Sequence, residues 1–405
     1  MKVSETSQIA VQPGINHGRI SKNYSVARGI KLIRSGETYF SCLLRLINEA
    51  TSDIQLQTYI FDDDETGSLV AAALIAATKR NVSVYVLADG YASQSLSNNF
   101  IAELNNAGIH FRYFEPVFKS RNFYFGRRLH HKVAVIDAAI ALVGGINISN
   151  NYNDLPGKPA WLDFALYLEG EACELLHIYC RNTWDEYKVS KIEVDKLATV
   201  LNYSFIDDRQ YAVKLSRNDW VRRKTEISRS YVEMFLGANS SVTILCSYFL
   251  PGKAIRKQIA AAAKRGVTIK VITTGTSDVV VSKYAERWLY DWLLRKGVII
   301  YEYQQNVLHG KLAVSDDAWV TIGSYNINNI SAYASVELNI EVKDAEFARL
   351  VRHQLDEIII KDCVQINEFR QLKNRNFVIQ FLRWSSYQFI RMMIYLFTFY
   401  FKRKP

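Results

Sequence analysis

Two histidines, two lysines and two asparagines recur in this chain at one fixed set of spacings. His130, Lys132 and Asn147 belong to His130-His131-Lys132-Val133-Ala134-Val135-Ile136-Asp137 and the Gly144-Gly145-Ile146-Asn147 that follows. His309, Lys311 and Asn326 belong to His309-Gly310-Lys311-Leu312-Ala313-Val314-Ser315-Asp316 and then Gly323-Ser324-Tyr325-Asn326. Both copies read H-x-K-x4-D-x6-G-[GS]-x-N, and every matched pair lies 179 positions apart. One such run is weak evidence, because common polar residues fall at fixed spacings by chance in long chains. Two copies that agree through the glycines and the asparagine are strong evidence.

Each run opens an apolar stretch that reads as a strand, where side chains two apart point the same way. His130 and Lys132 therefore project together, and His131 faces the other side in a structural or solvent-facing role. Gly144-Gly145 and Gly323-Ser324 are expected to let the backbone approach a ligand, while Asn147 and Asn326 can donate amide hydrogens to an anionic oxygen. Each half thus supplies a base, a cation and a donor. A phosphodiester needs such a pair: a nucleophile on one side of phosphorus, an acid on the other, and donors for the equatorial oxygens. Histidine can fill either role near neutral pH. Each histidine needs an orienting carboxylate on its other nitrogen, and Asp163 in Trp161-Leu162-Asp163-Phe164 and Glu337 in Val336-Glu337-Leu338-Asn339 are the candidates. Asp137 and Asp316 close the motifs and are carried with the catalytic set, although Asp137, past the strand end, is expected to fix the following turn.

The elements around the motifs are duplicated too. From Gly36 the pattern predicts a helix (Thr38 to Ala50), a strand (Ile54 to Phe61), the acidic turn Asp62-Asp63-Asp64-Glu65, a helix (Ser68 to Arg80), a strand (Val82 to Leu87), a helix (Ser97 to Ala107) and a strand (Ile109 to Phe114). The order returns with a strand at Ser240 to Leu250, a helix at Ala254 to Arg265 and a strand at Val267 to Ile272, and Gly297 answers Gly108. Alternation of this kind implies an α/β fold. Two tandem pseudo-symmetric domains follow, each a mixed sheet flanked by helices, with one active site at their interface. Helices are also expected at Glu171 to Tyr187 and Asp344 to Cys363. The boundaries predicted are an N-terminal arm (1–28), a first domain (29–195), a second domain (196–365) and a tail (366–405), with a linker near Lys188 to Arg217.

The chain has 405 residues, with Lys+Arg 50 against Asp+Glu 40 and a net charge of +10, which favours an anionic partner. Five scattered cysteines without a C-x-x-C pair suggest neither a disulfide framework nor a zinc site, and are expected to be reduced core residues of an intracellular protein. The start of the chain lacks a secretory pattern, and no stretch reaches the roughly 18 to 20 apolar residues of a membrane span. An insertion in the first half, Phe118 to Arg128, interleaves cations with aromatics and suits a phosphate-bearing surface or a solvated loop. In the tail, Gln380, Arg383, Tyr387, Arg391, Tyr395, Thr398 and Lys402 share one helical face, and Phe381, Trp384, Phe389, Met392, Met393, Leu396, Phe399 and Tyr400 lie around the rest. That helix is expected to lie in a membrane headgroup region, with docking on the protein's own core as the alternative.

The duplicated motif resembles that of the phospholipase D superfamily, over roughly Gly36 to Val342. Through Gln57-Thr58-Tyr59-Ile60-Phe61, Ala88-Asp89-Gly90-Tyr91, Phe111-Arg112-Tyr113-Phe114 and Val143-Gly144-Gly145-Ile146-Asn147 the chain is most similar to bacterial cardiolipin synthases of the short class, without N-terminal membrane spans. The resemblance implies two phospholipase D-like domains and transfer of a phosphatidyl group from phosphatidylglycerol to a second phospholipid, without a metal or other cofactor. It makes His130 the nucleophile and His309 the general acid, with Lys132, Lys311, Asn147 and Asn326 binding the phosphate. It also implies an anionic membrane surface as partner rather than nucleic acid, and a peripheral or monotopic place on the cytoplasmic side of a bacterial cell membrane. A phospholipase D hydrolase or a nuclease using the same histidines is the alternative. Asp163 follows a longer loop than Glu337 does, which makes it the departure from the symmetric pattern.

Overall fold

The computed structural model describes residues 24–116, 127–186, 209–367 and 376–402, with side chains of the last helix through residue 393. The arm before residue 24, most of the basic and aromatic insertion, and the linker before residue 209 lie outside the described residues.

The first half opens with β1 (Ser25–Ala27), β2 (Gly29–Arg34), α1 (Glu37–Glu49) and β3 (Asp53–Thr58). It continues through α2 (Glu65–Thr78), β4 (Ser83–Asp89), α3 (Asn98–Asn106) and β5 (His110–Phe114). Short β6 (Arg128–Leu129) leads into the motif strands β7 (Lys132–Ile136) and β8 (Ile140–Gly144), then β9 (Phe164–Glu169) and α4 (Glu171–Trp184). The second half runs β10 (Tyr211–Asp219), β11 (Lys224–Thr225), α5 (Glu226–Gly237), β12 (Ser241–Cys246) and α6 (Lys253–Lys264). After β13 (Thr268–Thr274) come α7 (Val280–Arg295) and β14 (Ile299–Tyr303). Its motif strands are β15 (Lys311–Ser315) and β16 (Trp319–Gly323), followed by α8 (Asn329–Tyr333), β17 (Ser335–Lys343), α9 (Ala345–Asp362), β18 (Cys363–Ile366) and the tail helix α10 (Phe377–Lys402).

The duplication is visible in the sheets. One has the order β2-β9-β8-β7-β3-β4-β5, and the other runs β1-β10-β17-β16-β15-β12-β13-β14-β18. In both, the crossover strands pair in parallel and the motif strands pair antiparallel beside them. Parallel strands joined through helices must be covered on both faces, and they are. Helices α1 to α3 pack against the outer face of the first sheet, with Leu43, Ile47, Leu74 and Phe100 in that core. Residues Tyr231, Phe235, Ile259 and Leu293 of α5 to α7 do the same for the second. Between the sheets lies one core shared by both halves: Val133, Val135 and Leu166 of one sheet meet Leu312, Val320 and Leu338 of the other, closed by Leu176 of α4 and Val351 of α9. The site strands are thus held by a common interior, so the halves cannot hinge apart without exposing it.

Several boundaries differ from expectation. Residues Ser25–Ala27, assigned to the arm, form an edge strand paired with β10 of the other half. The segment predicted as linker contains β10, whose burial does not alternate: Ser216, Asn218 and Asp219 are all buried, so no period of two marks it in the sequence. The acidic turn is an N-cap. Asp64 accepts from Gly67 N at 2.9 Å through one oxygen and from Asn150 N at 2.7 Å through the other, tying α2 to the loop after the motif. All five cysteines are free.

The tail helix docks on α7 through the face that looks polar. Arg383 is buried, and Tyr387 and Ile390 pack against the second-half core. Phe377, Val378, Phe381, Leu382, Trp384, Phe389 and Met392 are left exposed. Among the described residues no helix is long and apolar enough to cross a membrane.

Candidate active site

Backbone pairing between the halves builds the site. Short β6 adds to β17 in parallel, with Leu129 opposite Val336, and His130 N donates to Val336 O at 2.9 Å. On the other side Leu162 bridges to Leu308, Leu162 N donates to Val307 O at 2.9 Å, and His309 N donates to Leu162 O at 2.8 Å. Each histidine is thereby laid beside the acid of the opposite half. His130 Nδ1 lies 2.8 Å from Glu337 Oε2, and His309 Nδ1 lies 2.6 Å from Asp163 Oδ2. Sequence spacing named both acids; the crossing of partners becomes visible only once the strands pair.

The carboxylates fix the tautomers. Nδ1–H donates to the acid, which leaves Nε2 of each ring as the nitrogen with a lone pair to offer. Lys311 Nζ also sits 2.8 Å from His309 Nδ1, but one nitrogen cannot both donate to Asp163 and accept from Lys311. The carboxylate contact is the shorter and is charge-assisted, so it decides the proton's place. Glu337 is itself held by Ser324 Oγ and by Ser335 Oγ, the latter at 2.7 Å. Aromatic edges confine both rings. Tyr59 lies 4.9 Å from His130 between centroids, and Tyr152 lies 5.2 Å from His309.

Burial sets the electrostatics. It pushes His130 below the ordinary imidazole value, partly offset by Glu337, and pushes His309 down to about 4 with Lys311 adding to the effect. Lys132 is held well below the ammonium range by burial and then by the charge of Lys311, and burial lowers Lys311 too. Burial, the largest influence on each, would raise Asp163 and Glu337, but Lys311 with His309 and the Phe164 N–H around the first, and His130 with Lys132 and Ser324 around the second, together outweigh it and hold both carboxyls low. Two buried lysines whose charges disfavour each other suit an anion, whose arrival would relieve that repulsion. Lys132 is placed by donating to His130 O at 2.8 Å and lies 4.9 Å from the Tyr59 ring centroid.

Asn147 Oδ1 accepts from Ile60 N at 3.1 Å, and its Nδ2 donates to Tyr152 OH at 2.8 Å. Asn326 Oδ1 accepts from Ser247 Oγ at 2.7 Å, so the amide hydrogens are the part of that side chain left to meet an anion. His131 is structural. It is fully buried, with Nε2 2.9 Å from Tyr179 OH and Nδ1 3.3 Å from Gln57 Oε1, and burial pushes it down to about 3.

Two expectations are corrected. Asp137 and Asp316 leave the catalytic set. Asp137 lies five residues beyond Lys132 along an extended strand, roughly 16 Å away at ~3.3 Å per residue. Its oxygens accept from Thr51 N and Oγ1, Ser52 N and Oγ, and Asp53 N at 2.8–2.9 Å. Asp316 does the same for Asn239 N, Ser240 N and Oγ, and Ser241 N. Both anchor the turn between the motif strands to the start of the neighbouring strand. Asp137→Ala is therefore expected to lower unfolding stability by about 3 kcal/mol, through several lost bonds to a buried charge. Turnover per folded molecule should be retained, as checked by denaturant titration beside an activity assay. The motif glycines make room for neighbouring strands at Gly144 and Gly323, and for the Asp163 carboxylate at Gly145. A Cβ on Gly144 would lie 2.3 Å from Phe164 O, one on Gly323 2.3 Å from Leu338 O, and one on Gly145 2.3 Å from Asp163 Oδ1.

Sequence reasoning gave no role to Tyr59, Tyr152 or Trp161 and read Ser324 only, with Gly323, as a place of close backbone approach; all four contact a histidine or its acid. Ser324 stood inside the repeated motif, and its hydroxyl was the available signal. The two arginines that end the insertion turn inward: Arg127 pairs with Asp219 at 2.8 Å and Glu115 at 3.1 Å, and Arg128 lies 3.6 Å from Asp89.

Comparison with known proteins accords with this geometry. The family described as cardiolipin synthase, PLD-like domain, matches residues 43–156 and 231–359, one segment for each half. Cardiolipin synthase B of Escherichia coli (strain K12) is 35% identical over 352 residues, covering 84% of this chain and 82% of that protein. The probable cardiolipin synthase YwiE of Bacillus subtilis (strain 168) is 27% identical over 340 residues, covering 83% of this chain and 67% of the relative. Among solved structures, phosphatidylserine synthase from Haemophilus influenzae Rd KW20 shares the fold with a TM-score of 0.71 at 15% identity, covering 92% of this chain and 96% of that one. With both segments of the family model matched and a relative at 35% identity along most of its length, the chain belongs to the cardiolipin synthase family of phospholipase D-like enzymes.

Proposed function

We propose that this enzyme moves a phosphatidyl group from phosphatidylglycerol to the hydroxyl of a second phospholipid through a phosphohistidine. The observation that carries this reading is the crossed pair of histidine–carboxylate contacts, which gives each imidazole a fixed tautomer and sets two buried lysines beside them. Neutral His130 attacks phosphorus through Nε2, the bond from phosphorus to the glycerol oxygen breaks, and His309 gives that oxygen its proton. The acceptor hydroxyl then attacks phosphorus, the P–N bond breaks, and His309 takes the hydroxyl proton back. Lys132, Lys311, Asn147 and Asn326 hold the phosphate oxygens.

Incubation of pure protein with phosphatidylglycerol, with and without phosphatidylethanolamine, followed by mass spectrometry of the lipids, tests the reading. Cardiolipin supports it. Phosphatidic acid alone would replace it with a hydrolase, and the absence of any phosphodiester turnover would overturn it.

General acid catalysis requires His309 to gain a proton that burial and Lys311 oppose. A bound phosphate anion opposes that effect and raises the imidazole. Binding of vanadate near pH 6 is therefore expected to take up close to one proton. Calorimetry in buffers of different ionisation enthalpy measures it, and the uptake should vanish in His309→Asn.

The membrane is met by the exposed face of α10, from Phe377 at 83% exposure to Trp384 at 42%. Changing Phe381 and Trp384 to glutamate is expected to weaken binding to phosphatidylglycerol vesicles at least ~30-fold, since each buried aromatic contributes roughly 1.5–3 kcal/mol. Vesicle sedimentation reads this directly, with circular dichroism to check the helix.

A further inference from the structure

We propose that residues 275–281 and Tyr248 form the headgroup site for the hydroxyl-bearing lipid, with Asp278 and Tyr248 bonding the glycerol hydroxyls and Val279, Val280 and Val281 entering the apolar layer of the membrane. This deepens the phosphatidyl-transfer reading and rests on it.

Four residues beyond its crossover strand β13 the second half carries an acid that the fold leaves at the surface, Asp278. In the sheet register the counterpart of Asp89 is Thr274: each ends its crossover strand, and each accepts from the backbone N just ahead of its motif histidine, Leu129 N at 2.7 Å and Leu308 N at 3.1 Å. Asp89 is fully buried: it accepts from Tyr91 N and Ala92 N at 3.0 Å and from Leu129 N at 2.7 Å, and Arg128 lies beside it. It therefore fastens the chain just ahead of His130. Asp278 is exposed, and its Oδ1 accepts from Tyr248 OH at 2.5 Å and from Ser277 Oγ at 3.5 Å. The fastening that Asp89 provides in the first half falls to Thr274 in the second, which leaves Asp278 for another use.

The place of this acid is on the His309 side. Ser247, next to Tyr248, donates to Asn326 Oδ1 at 2.7 Å. Thr274, at the end of β13, accepts at 3.1 Å from Leu308 N, one residue before His309. The charge of Asp278 is felt at Lys311 and at Tyr152, whose ring meets His309. Burial and then Asp278 push the Tyr248 phenol up, so it stays protonated and can donate. In the proposed route His309 serves the leaving headgroup and then the incoming hydroxyl, so that side holds a glycerol twice. An exposed carboxylate beside an anion site repels the phosphodiester unless it has another partner. Glycerol hydroxyls are uncharged donors that it can accept. Directly after Asp278, Val279, Val280 and Val281 are 46%, 61% and 43% exposed at the start of α7, the helix on which the apolar-faced α10 also docks. Three consecutive exposed β-branched residues mark an apolar contact surface. With these valines in the acyl region, Asp278 sits at headgroup depth.

The test is conversion of cardiolipin to phosphatidylglycerol by added glycerol, with the glycerol concentration varied, for wild type, Asp278→Asn and Tyr248→Phe. The half-saturating glycerol concentration is expected to rise about tenfold in each variant, more than the maximal rate falls, and a larger share of phosphatidyl groups should pass to water. A wild-type glycerol dependence in both variants would overturn the proposal and leave the transfer reading intact. A shift seen with ethanolamine as acceptor but not with glycerol would overturn it in favour of an ammonium site. If the wild-type enzyme transfers nothing to glycerol, the transfer reading falls and this site with it.

Discussion

His130→Ala protein is expected to form cardiolipin from phosphatidylglycerol at least ~10⁴-fold more slowly than wild type, with lipid binding largely retained. The magnitude follows from what is lost. Without the imidazole there is no covalent intermediate, and the residual rate comes only from the lysines and asparagines that hold the phosphate. The side chain is partly exposed and the fold rests on the shared core, so the variant should remain folded. His309→Ala should also be slow, but for another reason, since the nucleophile survives while the leaving oxygen lacks its proton. A steady-state lipid assay gives the size of both losses.

The second large effect is expected from the crossed acids. Glu337→Ala should slow the step at His130, although the two residues belong to different halves, and Asp163→Ala should slow the step at His309. Loss of an orienting carboxylate costs roughly 10²–10⁴-fold in rate, because the wrong tautomer becomes available and the imidazolium is no longer stabilised. Both carboxylates are fully buried, so the conservative Glu337→Gln and Asp163→Asn separate chemistry from folding. The amides keep the volume, and activity should still fall. Single-turnover measurements sort the two: the Glu337 variants should be slow to form an adduct whatever the leaving group, while the Asp163 variants should regain adduct formation when the leaving group is p-nitrophenolate, which needs no proton. If instead each acid affected the histidine of its own half, the crossed arrangement would be wrong.

Much of this was legible in the sequence because the duplication was. A motif repeated through its glycines and asparagines pointed to the phospholipase D-like family, and the α/β alternation to two mixed sheets. What the sequence hid depends on pairing between distant strands. The partner of Asp163 is set by Leu162 meeting Leu308, and that of Glu337 by Leu129 meeting Val336. No local period encodes such contacts. Asp137 illustrates the converse. It sits at a conspicuous motif position, yet its left-handed backbone (φ 52°) and its bonds to Thr51, Ser52 and Asp53 make it a turn anchor. Strand β10 escaped notice because its buried face carries Ser216 and Asn218, which bond to Glu341 and Ser228 rather than to an apolar layer. The tail's two faces could be read from helical spacing, but the docking of its arginine face on α7 could not, since Arg383 is buried only because of what it meets there.

The phosphohistidine is the centre of this account, and direct detection of the adduct tests it. His309→Ala protein is mixed with the p-nitrophenyl ester of phosphatidic acid, whose leaving group needs no proton, denatured at alkaline pH and digested, and the peptides are examined by mass spectrometry. The account predicts a phosphatidyl group on the peptide containing His130, and none when His130 is replaced by alanine. An adduct that persists in His130→Ala, or lies on another residue of the His309→Ala protein, would contradict it.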